Sequence, residues 1–438
     1  MVERMRKTRL RWCRPWGIPA FLCGSALAIV LTPGCVPEPT TEAATDSGAS
    51  RAPAVIPGDT APPPPERTLT APGLLAITCG AVIPTEGKIP CEGSFTWPEG
   101  DPEWSGAIAV GIHGRSSAAF PKKQYAIELR DSEGADAPVG LFGMGADADW
   151  VLNGMYLDRS LLRNRLAFDL FRAFGDWAPA SDYVELTLDG SYLGLYSLCE
   201  RIEPGKHRLD LPKDDGSGSS FIVRADESGY PSAVQYAAWG LVYPEGADEA
   251  VNARIAAWEV LVSAGDPSLW EEMDEAGFID FVLLEEALRN NDGYFLSHHL
   301  YRDGRSEKLG LVPWDLDLTL GVPDYNDNQL SEGWVAYRPA LIANPALTPE
   351  FTARLSARWS ELRAGELGTS VLLARIDGYR AEMGEAVGRN WAVWDISQVG
   401  PLSGFPTYTV TSPDEEYARI AAFLEARLAW MDAAIDSY

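Results

Sequence analysis

Two carboxylates stand two residues apart in an apolar stretch, and they offer the clearest chemistry in the sequence. Asp315 and Asp317 interrupt the run 309–321, which otherwise has the composition of a buried strand. Alternation along a strand places both on one face, and buried carboxylates are costly without a positive partner. The run contains no Lys or Arg. A hard cation such as Mg2+ or Ca2+ suits paired carboxylates, so the pair predicts a metal site. The alternative is solvated acids at a strand edge, or acids that cap a later turn.

A third acid precedes this pair. Asp292 lies in an Asn-Asn-Asp-Gly sequence after a predicted helix at Ile279–Leu288, and such a sequence ends a helix whatever its function. Asp292 comes 23 residues before Asp315, and the segments 298–301 and 308–314 between them resemble strands. Protein kinases use the same order, in which a loop Asp accepts the hydroxyl proton and a later Asp holds Mg2+.

Other polar groups stand where packing alone gives them no role. The segment 113–117 and the pair Lys122-Lys123 combine Gly, hydroxyls and cations, which suits anionic oxygens or an ordinary solvated loop. Arg163-Asn164-Arg165 lies within an apolar helix, and Asn has poor helix propensity; an exposed helix face is the alternative. Glu200 ends a strongly apolar strand, a position more typical of a surface ion pair than of a binding residue.

The elements that must position these groups are mixed. Most predicted strands precede about residue 225, and helices dominate from residue 252 onward. Asp189-Gly190 between two alternating segments is a strong hairpin signal. The predicted strands are Ala107–Ile112, Gln124–Arg130, Tyr183–Leu188, Tyr192–Cys199 and Phe221–Ala225. The predicted helices include Leu157–Phe174, with Asp158 as N-cap and Gly175 as its stop, and a terminal helix after the capping box 412–415.

The N-terminus has the pattern of an export signal. A basic opening precedes an apolar run at Ile18–Leu31, which is short for a membrane span. Gly34-Cys35 then resembles a bacterial lipobox, so residues 1–35 are predicted to be a signal peptide with Cys35 acylated; ordinary secretion is the alternative. Residues 36–72, rich in Pro, Thr and Ala, predict a linker, and residues 73–438 predict the globular domain.

Composition agrees with an exported globular protein. The formal net charge of −27 argues against nucleic acid or an anionic membrane as a partner. The 46% hydrophobic content and 15 Trp indicate a well-packed body. Cys79 and Cys91 flank a short turn and predict a disulfide in an oxidising compartment, whereas Cys199 is left as a small core residue. No Cys/His spacing suggests zinc.

Taken together, the ordered segments resemble the CotH family of atypical kinases. The resemblance covers roughly residues 105–325, followed by a helical extension at 340–438. It rests on Gly-Arg-Ser-Ser and Phe-Pro-Lys-Lys-Gln-Tyr within 114–125, Asp-Trp-Val-Leu-Asn-Gly at 149–154, Leu-Leu-Arg-Asn-Arg-Leu-Ala at 161–167, the hairpin 183–200, Asn-Asp-Gly-Tyr at 291–294 and Pro-Trp-Asp-Leu-Asp at 313–317. Members of this family look like distant relatives of protein kinases, and they transfer phosphate from ATP to Ser residues of coat proteins.

The resemblance implies an α+β, protein-kinase-like fold, with a β-rich N-terminal part and a helical C-terminal part. It implies Asp292 as the catalytic residue and Asp315 with Asp317 as ligands of Mg2+ or Mn2+. Ser297 falls where the family has an Asn metal ligand, and Asn291 or His298 are alternatives. The implied ATP-binding set is Lys122, Lys123, Arg115, Arg163 and Glu200. The expected substrate is an exported or surface protein. A cell-surface binding protein that keeps the fold without turnover is the second hypothesis.

Overall fold

The structure is a computed structural model, and Cys35, like everything before residue 71, lies outside the residues it describes. The described residues are 71–98, 102–226, 229–234, 238–294, 296–323, 328–335, 338–344, 348–397 and 408–438. Within these ranges, each helix is too short or too polar to cross a bilayer.

Seven strands of the N-terminal part form a closed barrel. They are β1 (Gly73–Thr78), β2 (Ile89–Thr96), β3 (Pro102–His113), β4 (Gln124–Leu129), β5 (Asp149–Asn153), β6 (Ser181–Leu188) and β7 (Ser191–Glu200). Their order around the barrel is β1-β2-β3-β4-β5-β7-β6, and parallel pairing of β1 with β6 closes it. Alternate side chains point inward, so Leu75, Phe95, Ile127 and Trp150 share one core.

Local sequence signals explain two features of the barrel. Asp189 and Gly190 both have positive φ, 47° and 79°, which matches the two-residue turn that the sequence predicts between β6 and β7. Asp189 also accepts hydrogen bonds from the backbone N–H groups of Cys79 and Gly80, at 2.8 and 3.0 Å. Cys79 is joined to Cys91 of β2 by a disulfide. This hairpin and the disulfide loop therefore hold one end of the barrel together.

A second sheet lies in the part of the chain after the barrel. Its strands are β8 (Phe221–Asp226), β9 (Tyr230–Pro231), β10 (Ala238–Tyr243), β11 (His298–Asp303) and β12 (Lys308–Pro313). The order across the sheet is β12-β11-β8-β10-β9. The antiparallel β11–β12 hairpin pairs His298 with Pro313 and Asp303 with Lys308. The end of this hairpin therefore places the residues before His298 beside those after Pro313.

Helices supply most of the remaining core. They are α1 (Arg163–Phe174), α2 (Asp248–Ala264), α3 (Leu269–Glu272), α4 (Glu275–Leu288), α5 (Ala340–Ala343), α6 (Pro349–Ala364), α7 (Thr369–Met383), α8 (Ala386–Val393) and α9 (Pro413–Ala434). Helix α4 is buried from Gly277 to Leu288, and Phe171 of α1 packs edge-on against its Phe281. The mixture of strands and helices confirms the α+β prediction at that level.

The beginning of α1 differs from the sequence prediction. The helix starts at Arg163 rather than Leu157, because Leu161 has a positive φ of 62° and cannot continue a helix. The N-cap is therefore Leu162, and the prediction of Asp158 at that position is wrong. Asp158 still satisfies the helix start, since its Oδ2 accepts a hydrogen bond from the Arg163 backbone N–H at 2.8 Å. Gly175 ends the helix with φ of 110°, as predicted.

Candidate functional site

The loop after α4 carries Asp292. Arg289 ends the helix in the left-handed conformation, with φ of 53°. The backbone carbonyl of Asp292 then accepts hydrogen bonds from the N–H groups of Leu296 and Ser297, at 3.0 and 3.2 Å. These bonds fold the loop into a compact turn directly before β11, with the side chain of Asp292 half-buried.

The β11–β12 hairpin brings a second acid to this loop. The Trp314 N–H donates a hydrogen bond to the Ser297 carbonyl at 3.1 Å, so Asp315 lies just past the pairing, beside the loop of Asp292. The prediction that a strand continues through Asp317 is wrong. Strand β12 ends at Pro313, and Asp315 has φ of 56°, a left-handed conformation that interrupts the alternation of a strand.

Asn164 of α1 fixes the backbone that follows Asp315. Its Oδ1 accepts a hydrogen bond from the Leu316 N–H at 2.6 Å. Asn164 is only 5% exposed, so the alternative of an exposed helix face is wrong. A non-glycine residue in the left-handed region persists only where its surroundings hold it, and such residues cluster at functional sites. The helix-internal Asn is therefore explained by the turn at Asp315.

Three carboxylates interact around this turn. The pKa of Asp315 is raised to about 6, first by burial and then by the negative charge of Asp292. Burial and the charges of Asp315, Asp158 and Asp292 raise the pKa of Asp317 well above its ordinary value. Among the described residues, Arg163 is the cation that opposes these shifts, and it acts on Asp317. The described cations therefore compensate the charges of Asp315 and Asp317 only in part.

Asp315 combines an exposed side chain with dense surrounding protein. Its side chain is exposed to water by its accessible surface, although the surrounding protein is dense enough to raise its pKa through burial. The two observations agree if protein surrounds the carboxyl on most sides and water reaches it from one side. Asp315 is therefore accessible to a ligand from solution.

The donor set fits a hard divalent cation. Asp292, Asp315 and Asp317 offer only carboxylate oxygens, the ligands that Mg2+ prefers. Their carboxylate oxygens do not all lie within 4.8 Å of one another, so they are more widely spaced than the ligands of a closed protein site. Mg2+ usually keeps waters and takes one or two carboxylates with substrate phosphates. A spaced acidic group with one exposed member, Asp315, matches that mode.

The three candidates for an additional metal ligand lie differently. Ser297 is 8% exposed and stands opposite Trp314, next to Asp315. The His298 ring lies in the core, where Nδ1 contacts the Gly293 carbonyl at 2.8 Å and burial lowers its pKa to about 4. Asn291 is fully buried in the loop. Ser297 thus lies beside Asp315 and Asn291 beside Asp292 along the chain, so both stay candidates, whereas the His298 ring packs in the core.

Arg163 lies in a buried ion-pair network, so its expected contact with nucleotide is corrected. Its side chain is fully buried and pairs with Asp158 and, at 2.5 Å, with Glu416 of α9. Its Nε also donates to the Thr319 carbonyl at 2.9 Å. Protein oxygens thus hold the guanidinium, and the residue ties α1, α9 and the segment after Asp317 together.

The two lysines also contact protein groups. Lys122 is 1% exposed, and its Nζ donates to the Leu195 carbonyl and to Asn390 Oδ1 at 2.7 Å. Burial lowers its pKa well below the ordinary value. The expected role of Lys122 at nucleotide phosphates is therefore corrected to a structural one. Lys123 is half-buried and donates to the Ala118 carbonyl at 2.7 Å, within the β3–β4 connection.

The other two members of the implied ATP set lie at opposite extremes of exposure. Arg115 is exposed in the connection between β3 and β4. Glu200 is 2% exposed at the end of β7, where its Oε2 accepts a hydrogen bond from the Ala180 N–H at 2.9 Å and burial raises its pKa. Arg115 can reach a ligand from solution, and Glu200 supports the strand end.

Most of the chain, including the site described above, matches a known protein family. Residues 110–431, more than half of the chain, match the family described as CotH kinase protein. The chain belongs to the CotH family. The match continues past residue 325, so it includes helices α6 and α7 and most of α9 as well as the acidic loops.

A curated CotH relative is similar over a shorter stretch. Inner spore coat protein H of Bacillus subtilis (strain 168) is 22% identical to this chain over 184 residues, which cover 39% of this chain and 49% of that protein. The chain thus spans about half the length of the curated relative that it matches.

The CotH motifs did not indicate one cation that the fold brings near the site. Arg224 of β8 is exposed and stands opposite His299 of β11 in the sheet register, and the His299 ring meets Trp314 edge-on. The charge of Arg224 contributes to lowering the pKa of both His299 and His113, the last residue of β3. The charge of Arg224 therefore acts both on the end of β3 and on the hairpin that precedes Asp315, a relation that no local sequence pattern reveals.

A second acidic group of this CotH chain is already neutralised. Among the described residues, Asp147, Asp149 and Glu203 bring carboxylate oxygens within 4.8 Å of one another. The buried Arg208 pairs with Glu203 and lies 3.3 Å from Asp147 through its Nε, and Arg201 pairs with Asp149 at 3.2 Å. Guanidinium groups thus supply the positive charge, and the group is an ion-pair network.

Proposed function

We propose that this chain transfers phosphate from ATP, with Mg2+ or Mn2+, to Ser or Thr hydroxyls of an exported or surface protein, on a kinase-like fold. The observation that carries the proposal is the raised pKa of the neighbouring acids Asp315 and Asp317, to which the charge of Asp292 contributes, together with the exposed side chain of Asp315. Membership of the CotH family supports it.

The residues divide the work by position. Asp315 and Asp317 would hold the cation, with Ser297 beside them, and a bound divalent cation would neutralise charge on the ATP phosphates. Asp292 would orient the acceptor hydroxyl and take its proton. Arg115, Lys123 and Arg224 are the candidates to face phosphate oxygens, since Lys122 and Arg163 are buried among protein partners. Catalysis would then rest on positioning and electrostatics.

A cell-surface binding protein without turnover is the second candidate. The burial of Lys122 favours it, because this lysine is 1% exposed and donates to the Leu195 carbonyl and to Asn390, which leaves it inaccessible to phosphate in this structure. The kinase and the binding protein would have the same architecture, so only a measurement of activity can separate the two candidates.

Incubation of the full chain with radiolabelled ATP tests the function. We expect label on the protein or on an added Ser-rich polypeptide with Mg2+ or Mn2+, and none with excess chelator or in the Asp292→Asn variant. Nucleotide binding without transfer would favour the binding protein, and the absence of both would overturn the proposal.

The proposed location is the cell envelope, through a lipid on Cys35. The basis is the lipobox-like Gly34-Cys35 at the end of the apolar export core. We expect Cys35→Ala to move the protein from the membrane fraction to the soluble fraction, measured by immunoblot. An unchanged distribution would contradict lipidation.

A further inference from the structure

Two adjacent glutamates of α4 are fully buried, and their carboxyls differ in how well they are paired. Glu286 Oε2 accepts hydrogen bonds from the Val335 N–H at 2.9 Å and from Arg427 at 3.2 Å. Within the described part of the chain, neither carboxyl oxygen of Glu285 makes a well-formed hydrogen bond. A buried carboxyl whose hydrogen bonding is incomplete destabilises the fold, so the presence of Glu285 calls for a reason other than stability.

The Glu285 carboxyl packs directly beneath the loop that carries Asp292. A Cβ added to Gly293 would lie 2.2 Å from Glu285 Oε2 and 2.8 Å from Asn290 Nδ2. The loop backbone therefore rests on the carboxyl, and Gly is required there because any side chain would collide with it. Asn290 is also fully buried, with neither side-chain polar atom in a well-formed hydrogen bond to the described residues.

The electrostatics agree with a carboxyl held in its neutral form. Burial raises the pKa of Glu285 well above its ordinary value, a side-chain hydrogen bond from Asn290 opposes the shift, and the charges of Glu286 and Asp292 add to it. Among the described residues, no cation contributes to this shift. The close approach of the Gly293 backbone also leaves no room for an ion on that side.

We infer that Glu285 is a positioning residue, whose carboxyl supports residues 290–293 from the buried side and thereby fixes Asp292. The inference rests on the proposed function of Asp292 for its catalytic consequence. Its structural half, the restraint of the loop, does not depend on that function. A neutral carboxyl and an amide are similar in shape and hydrogen bonding, whereas an aliphatic side chain of similar size supplies packing alone.

Three variants of the full chain separate positioning from packing. We expect Glu285→Gln to keep kcat close to wild type. Glu285→Leu should keep or raise the thermal midpoint, because it removes a buried polar group, yet lower kcat by about 10- to 100-fold at unchanged KM for ATP. The control Glu286→Gln, which weakens the pair with Arg427, should lower the midpoint and keep kcat close to wild type.

Hydrogen exchange of the backbone amides 289–297 provides a readout that needs no activity. Glu285→Leu should speed exchange in this loop and leave α4 protected. Unchanged loop exchange would overturn the inference, whether or not the wild type transfers phosphate. If Glu285→Leu speeds loop exchange but the wild type transfers no phosphate, the restraint of the loop is supported and the proposed function is refuted. Unchanged kcat in Glu285→Leu, with an active wild type, would also overturn the inference.

A double-mutant cycle tests the contact itself. Gly293→Ala should speed loop exchange in the wild-type background, because its Cβ meets the Glu285 carboxyl. In the Glu285→Ala background the same change should have a smaller effect, since the obstacle is gone. Equal effects in both backgrounds would contradict the proposed contact.

Discussion

Two groups of acids lie side by side in this protein, and only one encloses an arginine. Asp158 and Glu416 flank the buried Arg163. Burial alone would raise the pKa of Glu416, but the guanidiniums of Arg163 and Arg419 lower it overall. In the neighbouring group, Asp315 and Asp317 have raised pKa values. Burial acts to raise the pKa of the acids in both groups, so pairing with arginine decides whether the pKa ends up lowered or raised.

The comparison separates a structural site from a binding site. A buried ion pair with its hydrogen bonds satisfied has no need of a ligand. An acidic group that the protein compensates only in part favours a proton or a cation from solution, and strongly perturbed acids in a cleft are candidates for function. Arg163 marks the boundary between the two groups, since its charge also acts on Asp317.

Removing the arginine should have the largest effect on the paired group. Arg163→Met leaves Asp158 and Glu416 buried without their cation, so we expect a loss of about 3–5 kcal/mol in the free energy of unfolding, measured with urea. The triple variant with Asp158→Asn and Glu416→Gln should recover much of this loss. Unchanged stability together with lost nucleotide binding would instead return Arg163 to the ATP site.

The acids of the other group should fail in different ways. Asp292→Asn should leave nucleotide binding nearly intact while phosphate transfer falls by ~100-fold or more. Asp315→Asn should weaken metal-dependent binding of the nucleotide itself. Calorimetry and single-turnover transfer measure the two quantities separately. If Asp292→Asn transfers phosphate as well as the wild type, its catalytic assignment is wrong.

The pH dependence of stability should differ in sign between the groups. The pKa of Asp315 is raised to about 6, so without divalent cations its ionisation destabilises the fold above pH 6, and this cost disappears as the pH falls toward 4. Asp315→Asn should therefore have a higher thermal midpoint than the wild type at pH 8, with a gap that shrinks below pH 6. The lowered pKa of Glu416 stabilises the fold at neutral pH, and that contribution is lost on acidification below its unfolded value.

A smaller effect should follow from the side chain that holds the turn. Asn164→Ala leaves the Leu316 N–H without its acceptor, which should cost about 1–3 kcal/mol of stability. The same change should weaken the stabilisation by Mg2+, because the turn at Asp315 loses its support. Thermal unfolding with and without Mg2+ measures both. An equal Mg2+ response in variant and wild type would show that Asn164 supports packing alone.

The sequence predicted what depends on local pattern. The Asp189-Gly190 hairpin, the Gly175 helix stop and the capping box, where Ser412 accepts from the Glu415 N–H at 3.2 Å, all follow from short-range chemistry. The order of the motifs also identified the family and predicted that Asp292 and Asp315 belong to one site. These signals are local, so tertiary contacts were not needed to read them.

The contacts that the sequence missed are long-range. Arg163 and Lys122 carry charges that suit phosphate, but their partners Glu416 and Asn390 lie 253 and 268 residues away in sequence. The strand predicted through Asp317 failed because Asn164, 152 residues from Leu316, holds a turn there. Side-chain type therefore indicated the chemistry, and only the fold decided whether each group faces a ligand or another part of the chain.

Calorimetric titration of ATP with Mg2+ into the full chain and its Asp315→Asn variant measures whether these acids hold a divalent cation. We expect binding by the wild type that is lost with chelator and strongly weakened in Asp315→Asn. Metal-independent binding, or equal binding by both proteins, would contradict the assignment of these acids to a divalent cation.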